Sequence, residues 1–279
     1  MKNKLWTLAI ALIAALGIAW HEHRTDEALP QQLPAQTPKG GTGSQAAATV
    51  TDTSGWPLLP EMTVSRGGQI IAHTGFTLYY DADRKTPYWV AWLLTADRVD
   101  GTAPRYNKFM PDPAVRGAQA YTSDYTKSGY DRGHMAPAAD MKWSETAMRE
   151  SFYLSNVCPQ NRNLNRGDWN DLEELTRQWA RRFGTVSITA GPIYYTDKPA
   201  RIGANHVAVP NAFFKVLLIG YPDNPRAYGF VFPNVAGNRP LTAYQYTVDE
   251  VERIAGMDFF PALPDDVERR IEAEKPALP

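Results

Sequence analysis

The sequence predicts an α+β fold, a mixed and mainly antiparallel central sheet flanked by helices. Two groups of strand-like apolar runs stand on either side of a helical region, with turn residues between the runs. The first group opens with a hairpin signal, two strand-like segments joined by Thr74-Gly75. The helical region holds Leu172, Leu175, Trp179 and Phe183, whose spacing places them on one helix face.

In chain order, the N-terminal segment comes first. Lys2 and Lys4 precede an apolar run from Leu5 to Trp20. Its length falls between a signal-peptide core of about 7–15 residues and a spanning helix of about 20. Residues 1–20 are therefore expected to be either a signal peptide or a membrane anchor. That makes the protein exported: periplasmic, secreted or membrane-anchored. Residues 21–55, rich in Pro, Gln, Thr, Gly and Ala, bury too little apolar area to offset ordering entropy and are expected to form a flexible linker. A folded domain is expected over residues 56–260.

Within it, Gln69–His73 and Phe76–Asp81 read as the hairpin, and Tyr88–Leu94 as a buried strand. Ser144 is placed as the N-cap of a helix reaching about Phe152, and a longer helix is expected over Asp168–Phe183. Val186–Ala190, His206–Val209, Ala212–Ile219 and Ala227–Phe232 are the second strand group, and a third helix is expected from Leu241 to about Ile254. Residues 261–279 are expected to be an acidic tail with a short, loosely docked helix, Asp265–Glu274.

The net charge is -1, but Asp249–Pro279 carries nine acids against four bases, which leaves the rest at about +4. A local basic patch for phosphate is therefore compatible with the composition. The single cysteine, Cys158, excludes an intrachain disulfide and thiolate zinc sites. Cys158 is expected to be a small buried residue, His73 and His206 structural, and Trp89, Trp92 and Trp179 core.

The densest chemistry lies between Arg105 and Arg177. Asp131-Arg132-Gly133-His134 is expected in a polar loop. Asn156-Val157-Cys158-Pro159-Gln160, Asn165-Arg166-Gly167-Asp168-Trp169, Glu173 and Arg177 follow. This set suits phosphodiester hydrolysis. A histidine can take the proton from attacking water at neutral pH. A magnesium ion, bound through few side chains and several waters, can stabilise phosphate and leaving oxygen. Arginines can grip phosphate oxygens. If one helix ran back to Asn165, then Asn165, Glu173 and Arg177 would share one side of it.

These motifs resemble those of the DNA/RNA non-specific endonucleases of the ββα-metal superfamily, the family that includes mitochondrial endonuclease G. The matching pieces are Asp131-Arg132-Gly133-His134-Met135-Ala136-Pro137, then Asn156-x-x-Pro159-Gln160, then Leu164-Asn165-x-Gly167-x-Trp169 with Leu172-Glu173. Trp89-Val90-Ala91 and Thr189-Ala190-Gly191-Pro192 are weaker echoes, and the likeness runs from about Leu78 to Asn234. The resemblance implies a ββα-metal site at one edge of the sheet, with His134 as general base and Asn165 as the side chain on a Mg²⁺ or similar divalent ion such as Mn²⁺. It implies that Glu173 holds metal-bound water, that Arg132, Arg177 and Arg105 contact phosphate, and that Asn156 supports the site. Asp140 and Cys158 receive no role. DNA and RNA are the implied substrates. A membrane through residues 5–20 and a second copy in a homodimer are further candidate partners, and the identity of any inhibitor protein is open.

Overall fold

The structure, a computed structural model, describes residues 59–279. The predicted signal or anchor (1–20), the whole of the predicted linker (21–55) and the predicted domain start (56–58) lie outside the described residues. Seven strands form the central sheet: β2 (Gln69–Ala72), β3 (Thr77–Asp81), β4 (Thr86–Thr95), β7 (Thr185–Ile193), β10 (Ala212–Ile219), β11 (Arg226–Pro233) and β12 (Gln245–Tyr246). Their spatial order is β12-β11-β10-β7-β4-β3-β2. Three strand pairs stand apart: β1 (Glu61–Met62) with β13 (Met257–Asp258), β5 (Asp131–His134) with β6 (Val157–Gln160), and β8 (Arg201–Ile202) with β9 (Val207–Ala208). Every pairing between named strands is antiparallel, so the sheet is not mixed as the sequence suggests. The predicted hairpin is β2–β3, closed by the His73 amide on the Phe76 carbonyl at 2.8 Å.

Both faces of the sheet centre are covered, which is why β10 is buried along its whole length and reads as an uninterrupted apolar run. Lys215 of β10 stands in register with Ala190 of β7, which stands opposite Val90 of β4. Period-2 alternation puts Trp92, Ile188 and Leu217 on that same face. The helices are α1 (Ala96–Val99), α2 (Glu145–Glu150), α3 (Arg162–Arg166), α4 (Asp168–Phe183), α5 (Val248–Ala255) and α6 (Asp265–Glu272). The α4 helix lies on the Trp92 face: Leu172 and Trp179 are fully buried there, and Leu175 and Phe183 pack at the margin. Val251 of α5 covers the other face, where a Cβ on Gly229 would come within 2.8 Å of its Cγ2.

Ser144 caps α2 by accepting from the Ala147 amide, as its sequence position predicts. Three expectations are corrected. No helix spans Leu241–Ile254: a 3-10 turn (Leu241–Tyr244) and β12 come first, and α5 starts at Val248 after its N-cap Thr247, whose hydroxyl and the Glu250 carboxylate cap each other's backbone amides. The Asp131–His134 motif is a strand rather than a loop. The C-terminal helix is docked, with Ile271 buried and the Pro276 carbonyl accepting from Gln245 Nε2 at 2.7 Å.

Candidate active site

The β5–β6 pair sets the histidine. Asp131 faces Gln160, Arg132 faces Pro159, Gly133 faces Cys158 and His134 faces Val157. Glycine is favoured at 133, because a Cβ there would lie 2.6 Å from Gln160 Cβ, which cannot swing away as the Oε1 at 2.1 Å could. Beyond His134 the chain is clamped by Asn156. Its Oδ1 accepts from the Ala136 amide at 2.9 Å, and its Nδ2 donates to the Ala136 and Ser151 carbonyls, each at 2.9 Å. Asn156 is fully buried and does not line the cavity, so its contact with the site runs through this backbone turn.

The His134 ring packs between Phe109 and Phe152, with centroids 5.0 Å away in both cases. Its Nε2 is buried without a hydrogen-bond partner. Burial, and then the charges of Arg105 and Arg132, push its pKa down to about 3, so the ring is neutral at pH 7. The same phenyl rings carry the arginines: Arg132 stands 4.6 Å over Phe109 and Arg105 5.2 Å over Phe152. Arg105 Nε also donates to Asn107 Oδ1 at 3.0 Å.

Asn165 lies on α3 and not on the long helix. The two helices are separated at Gly167, where a Cβ would stand 2.8 Å from the Asn163 carbonyl oxygen. The single helix considered from sequence is therefore broken between Asn165 and Glu173. The residues converge even so, because Asn165, Glu173 and Arg177 line the same cavity of about 420 Å³ as His134, Arg132 and Arg105. Asp131 orients the amide: its Oδ2 accepts from Asn165 Nδ2 at 3.3 Å and from Arg166 Nε at 2.9 Å. Among the described residues no donor reaches the Asn165 carbonyl oxygen.

Glu173 and Arg177 do not pair with each other along α4. Glu173 Oε1 lies 3.7 Å from Nζ of Lys215, which is buried over the Trp169 ring at 4.0 Å. Burial pushes the Glu173 carboxyl up and the Lys215 ammonium down, and the charge of each opposes the shift in the other. Arg177 donates to Asp140 Oδ1 at 3.0 Å, and Asp140 Oδ2 accepts from Trp92 Nε1 at 3.0 Å. Asp140 is therefore corrected from a residue without a role to the anchor that fixes Arg177. Lys215 was also missed, although a lone charge inside the apolar run Ala212–Ile219 is a signal of a buried partner. Cys158 is buried and its thiol is pushed up by burial, as expected of an inert packing residue. Trp89, Trp92 and Trp179 are core. His73 is held by Asp112 at 2.8 Å, and His206 sits in a turn with φ 54°.

The residues fit a hard divalent cation. The carboxamides of Asn165 and Asn170 and the carboxylates of Asp131 and Glu173 share the cavity, the atoms free to ligate are oxygen or imidazole nitrogen, and the volume admits several waters.

The profile of the DNA/RNA non-specific endonuclease family matches residues 58–266. The chain is 41% identical over 213 residues to the mitochondrial nuclease EXOG of Danio rerio, covering 71% of this chain and 62% of that protein. It spans a similar share of the Xenopus laevis and Mus musculus proteins of the same name. With mitochondrial endonuclease G of Bos taurus it shares 33% identity over 277 residues, 91% of this chain and 92% of that one. A solved complex of EndoG with EndoGI is similar at a TM-score of 0.68 and 32% identity, covering 77% of this chain and 95% of that chain. These findings overturn the expectation of a periplasmic, secreted or membrane-anchored protein. The EXOG, nuclease 1 and endonuclease G relatives bear the names of mitochondrial nucleases. By profile, identity and fold, the chain belongs to the DNA/RNA non-specific endonuclease family.

Proposed function

We propose that the chain is a divalent-metal-dependent endonuclease that hydrolyses phosphodiester bonds in DNA and RNA with little regard for sequence. The observation that carries this reading is one cavity in which a neutral imidazole, the Asn165 carboxamide oxygen, the carboxylates of Asp131 and Glu173, and four arginines meet. Asn165 Oδ1 would hold the cation and Glu173 would bind its waters. When bound, the cation supplies Lewis-acid charge to the phosphate and the leaving oxygen.

The chain's own residues do the rest. His134 removes a proton from the attacking water. Because its Nε2 is closed off, Nδ1 is the ring nitrogen left to accept that proton. The water oxygen forms the new bond to phosphorus, the bridging P–O bond breaks, and the departing oxygen takes a proton from solvent. Arg132, Arg105 and Arg177 neutralise the phosphate oxygens as charge builds. Asp131 keeps the Asn165 amide turned, and Asn156 fixes the turn behind His134. All these groups act on the sugar-phosphate backbone that DNA and RNA share, so base contacts are not needed. The likeness to EndoG in its complex supports an inhibitor protein as a partner class.

The test is nicking of supercoiled plasmid and cleavage of an unstructured RNA. Both should require Mg²⁺ or Mn²⁺ and stop with EDTA, and Asn165→Ala should raise the ion concentration needed by at least tenfold. Retention of nucleic acid without cutting under all ion conditions would make the protein a binding module instead.

The pH profile gives a second check. His134 has a folded pKa below its unfolded value, so the native ring stays neutral as pH falls through 6.5. At saturating divalent ion, kcat/KM should show no acid limb near pH 6.5 from this base. Stability should behave differently: the unfolded chain binds the proton first, so the stability contribution of the neutral ring is lost as pH falls from about 6.5 towards about 3. Because burial pushes the Glu173 carboxyl up, the limb that would contradict the environment assigned to His134 is one at the ordinary imidazole pKa that persists in Glu173→Gln.

A further inference from the structure

Far along the chain from the cavity residues, the two C-terminal helices bring carboxylates together. Asp249 and Glu252 lie on α5 and Glu272 on α6, and one oxygen from each falls within 4.8 Å of the others. Glu272 is 5% exposed, and its Oε1 is buried without a hydrogen-bond partner. Glu268, one turn earlier on α6, also has a buried Oε1 without a partner. Glu252 Oε1 accepts from the Phe259 amide at 2.7 Å.

Such a cluster carries a cost that must be offset. The groups facing Glu272 are Glu252, Glu268, Asp258 and Asp249, every one acidic, and with burial they push its carboxyl up to about 9. Glu252 is pushed up to about 7 by burial and by Asp258, Asp249 and Glu268. Arg269 lowers the Glu268 carboxyl, and it also reaches Asp265 at 3.9 Å. Like charges held this close need either shared protons or a cation between them. The spacing favours a cation. Oxygens bound to one calcium ion at about 2.3–2.6 Å lie no more than about 5 Å apart, a limit that these three oxygens, all within 4.8 Å of one another, already meet. Calcium accepts 6–8 oxygens in flexible geometry, whereas magnesium keeps most of its waters, so carboxylates from three residues suit calcium better.

We propose that Asp249, Glu252 and Glu272, assisted by Glu268, form a calcium site that pins α6 to α5. The site is separate from the cavity of His134 and shares no residue with it. It stabilises the C-terminal docking that the acidic composition of this stretch otherwise opposes.

Thermal unfolding of the full chain, carrying Asn165→Ala to weaken the ion site in the nuclease cavity, is followed with CaCl2 against EDTA. Calcium at a hundredfold excess over Kd should raise Tm by about 5–10 °C. Glu272→Gln and, separately, Asp249→Asn should each remove most of that rise. Asp249 is exposed, so its amide variant folds whatever the buried position tolerates. No calcium-dependent rise in the Asn165→Ala background overturns the site and leaves a cluster held by protons. A rise of undiminished size in Asp249→Asn and Glu272→Gln overturns it too, because the ion then binds elsewhere. Loss of plasmid cutting in the wild type bears on the nuclease reading alone.

Discussion

Replacement of His134 by alanine lowers kcat by about 10²–10⁴-fold, the ordinary contribution of a positioned general base. The loss is chemical rather than structural. The ring lies between Phe109 and Phe152 at the cavity edge, and the fold beneath it is held by the β5–β6 ladder and by Asn156. Removal of the imidazole also deletes a buried nitrogen that has no partner, which offsets part of the lost packing. Thermal unfolding should therefore move by only a few degrees. Added imidazole should restore part of the rate by occupying the space the side chain leaves. Steady-state nicking rates, with and without imidazole, measure both effects. Full activity in the alanine variant would mean that another group takes the proton.

The second large effect concerns stability. Asp140→Ala should cost about 3–5 kcal/mol, because it breaks a buried pair and leaves a charge behind. The Asp140 side chain is 2% exposed and that of Arg177 14%, so water cannot readily replace the lost carboxylate. Trp92 Nε1 loses its acceptor as well. In a domain of this size that corresponds to a fall in Tm of about 6–20 °C. Asp140→Asn keeps an oxygen for Trp92 and should cost less. Activity should fall in both variants, since Arg177 is no longer held at the cavity wall. A Tm within about 2 °C of the parent for Asp140→Ala would show that Arg177 finds another partner.

The central strands and α4 were legible in the sequence because their signals are local. Ala212–Ile219 and Asp168–Phe183 coincide with the observed elements, since an unbroken apolar run and a 3.6-residue stripe each specify one solution. The Leu241–Ile254 stretch was misread because its apolar residues hide a new start. The Thr247-x-x-Glu250 capping box marks that start and outweighs the apparent continuity. The strand character of Asp131–His134 was hidden for a different reason. Its residues have low strand propensity, and pairing with Val157–Gln160 is what makes them a strand. At the site, His134, Asn165 and the arginines were legible as residue types, but their partners were not. Nothing local links Asp140 to Arg177 across 37 positions, or Lys215 to Glu173; those links exist only once α4 lies on the sheet. Asp131 was visible in the motif, yet its use as the hydrogen-bond acceptor for Asn165 depends on α3 ending beside β5.

Anomalous diffraction from crystals of the full chain grown with Mn²⁺ tests the central claim most directly. The arrangement predicts a strong manganese peak on Asn165 Oδ1, in the cavity that His134 lines. A cavity without manganese at Asn165, or a peak whose nearest protein ligands exclude that residue, would contradict it.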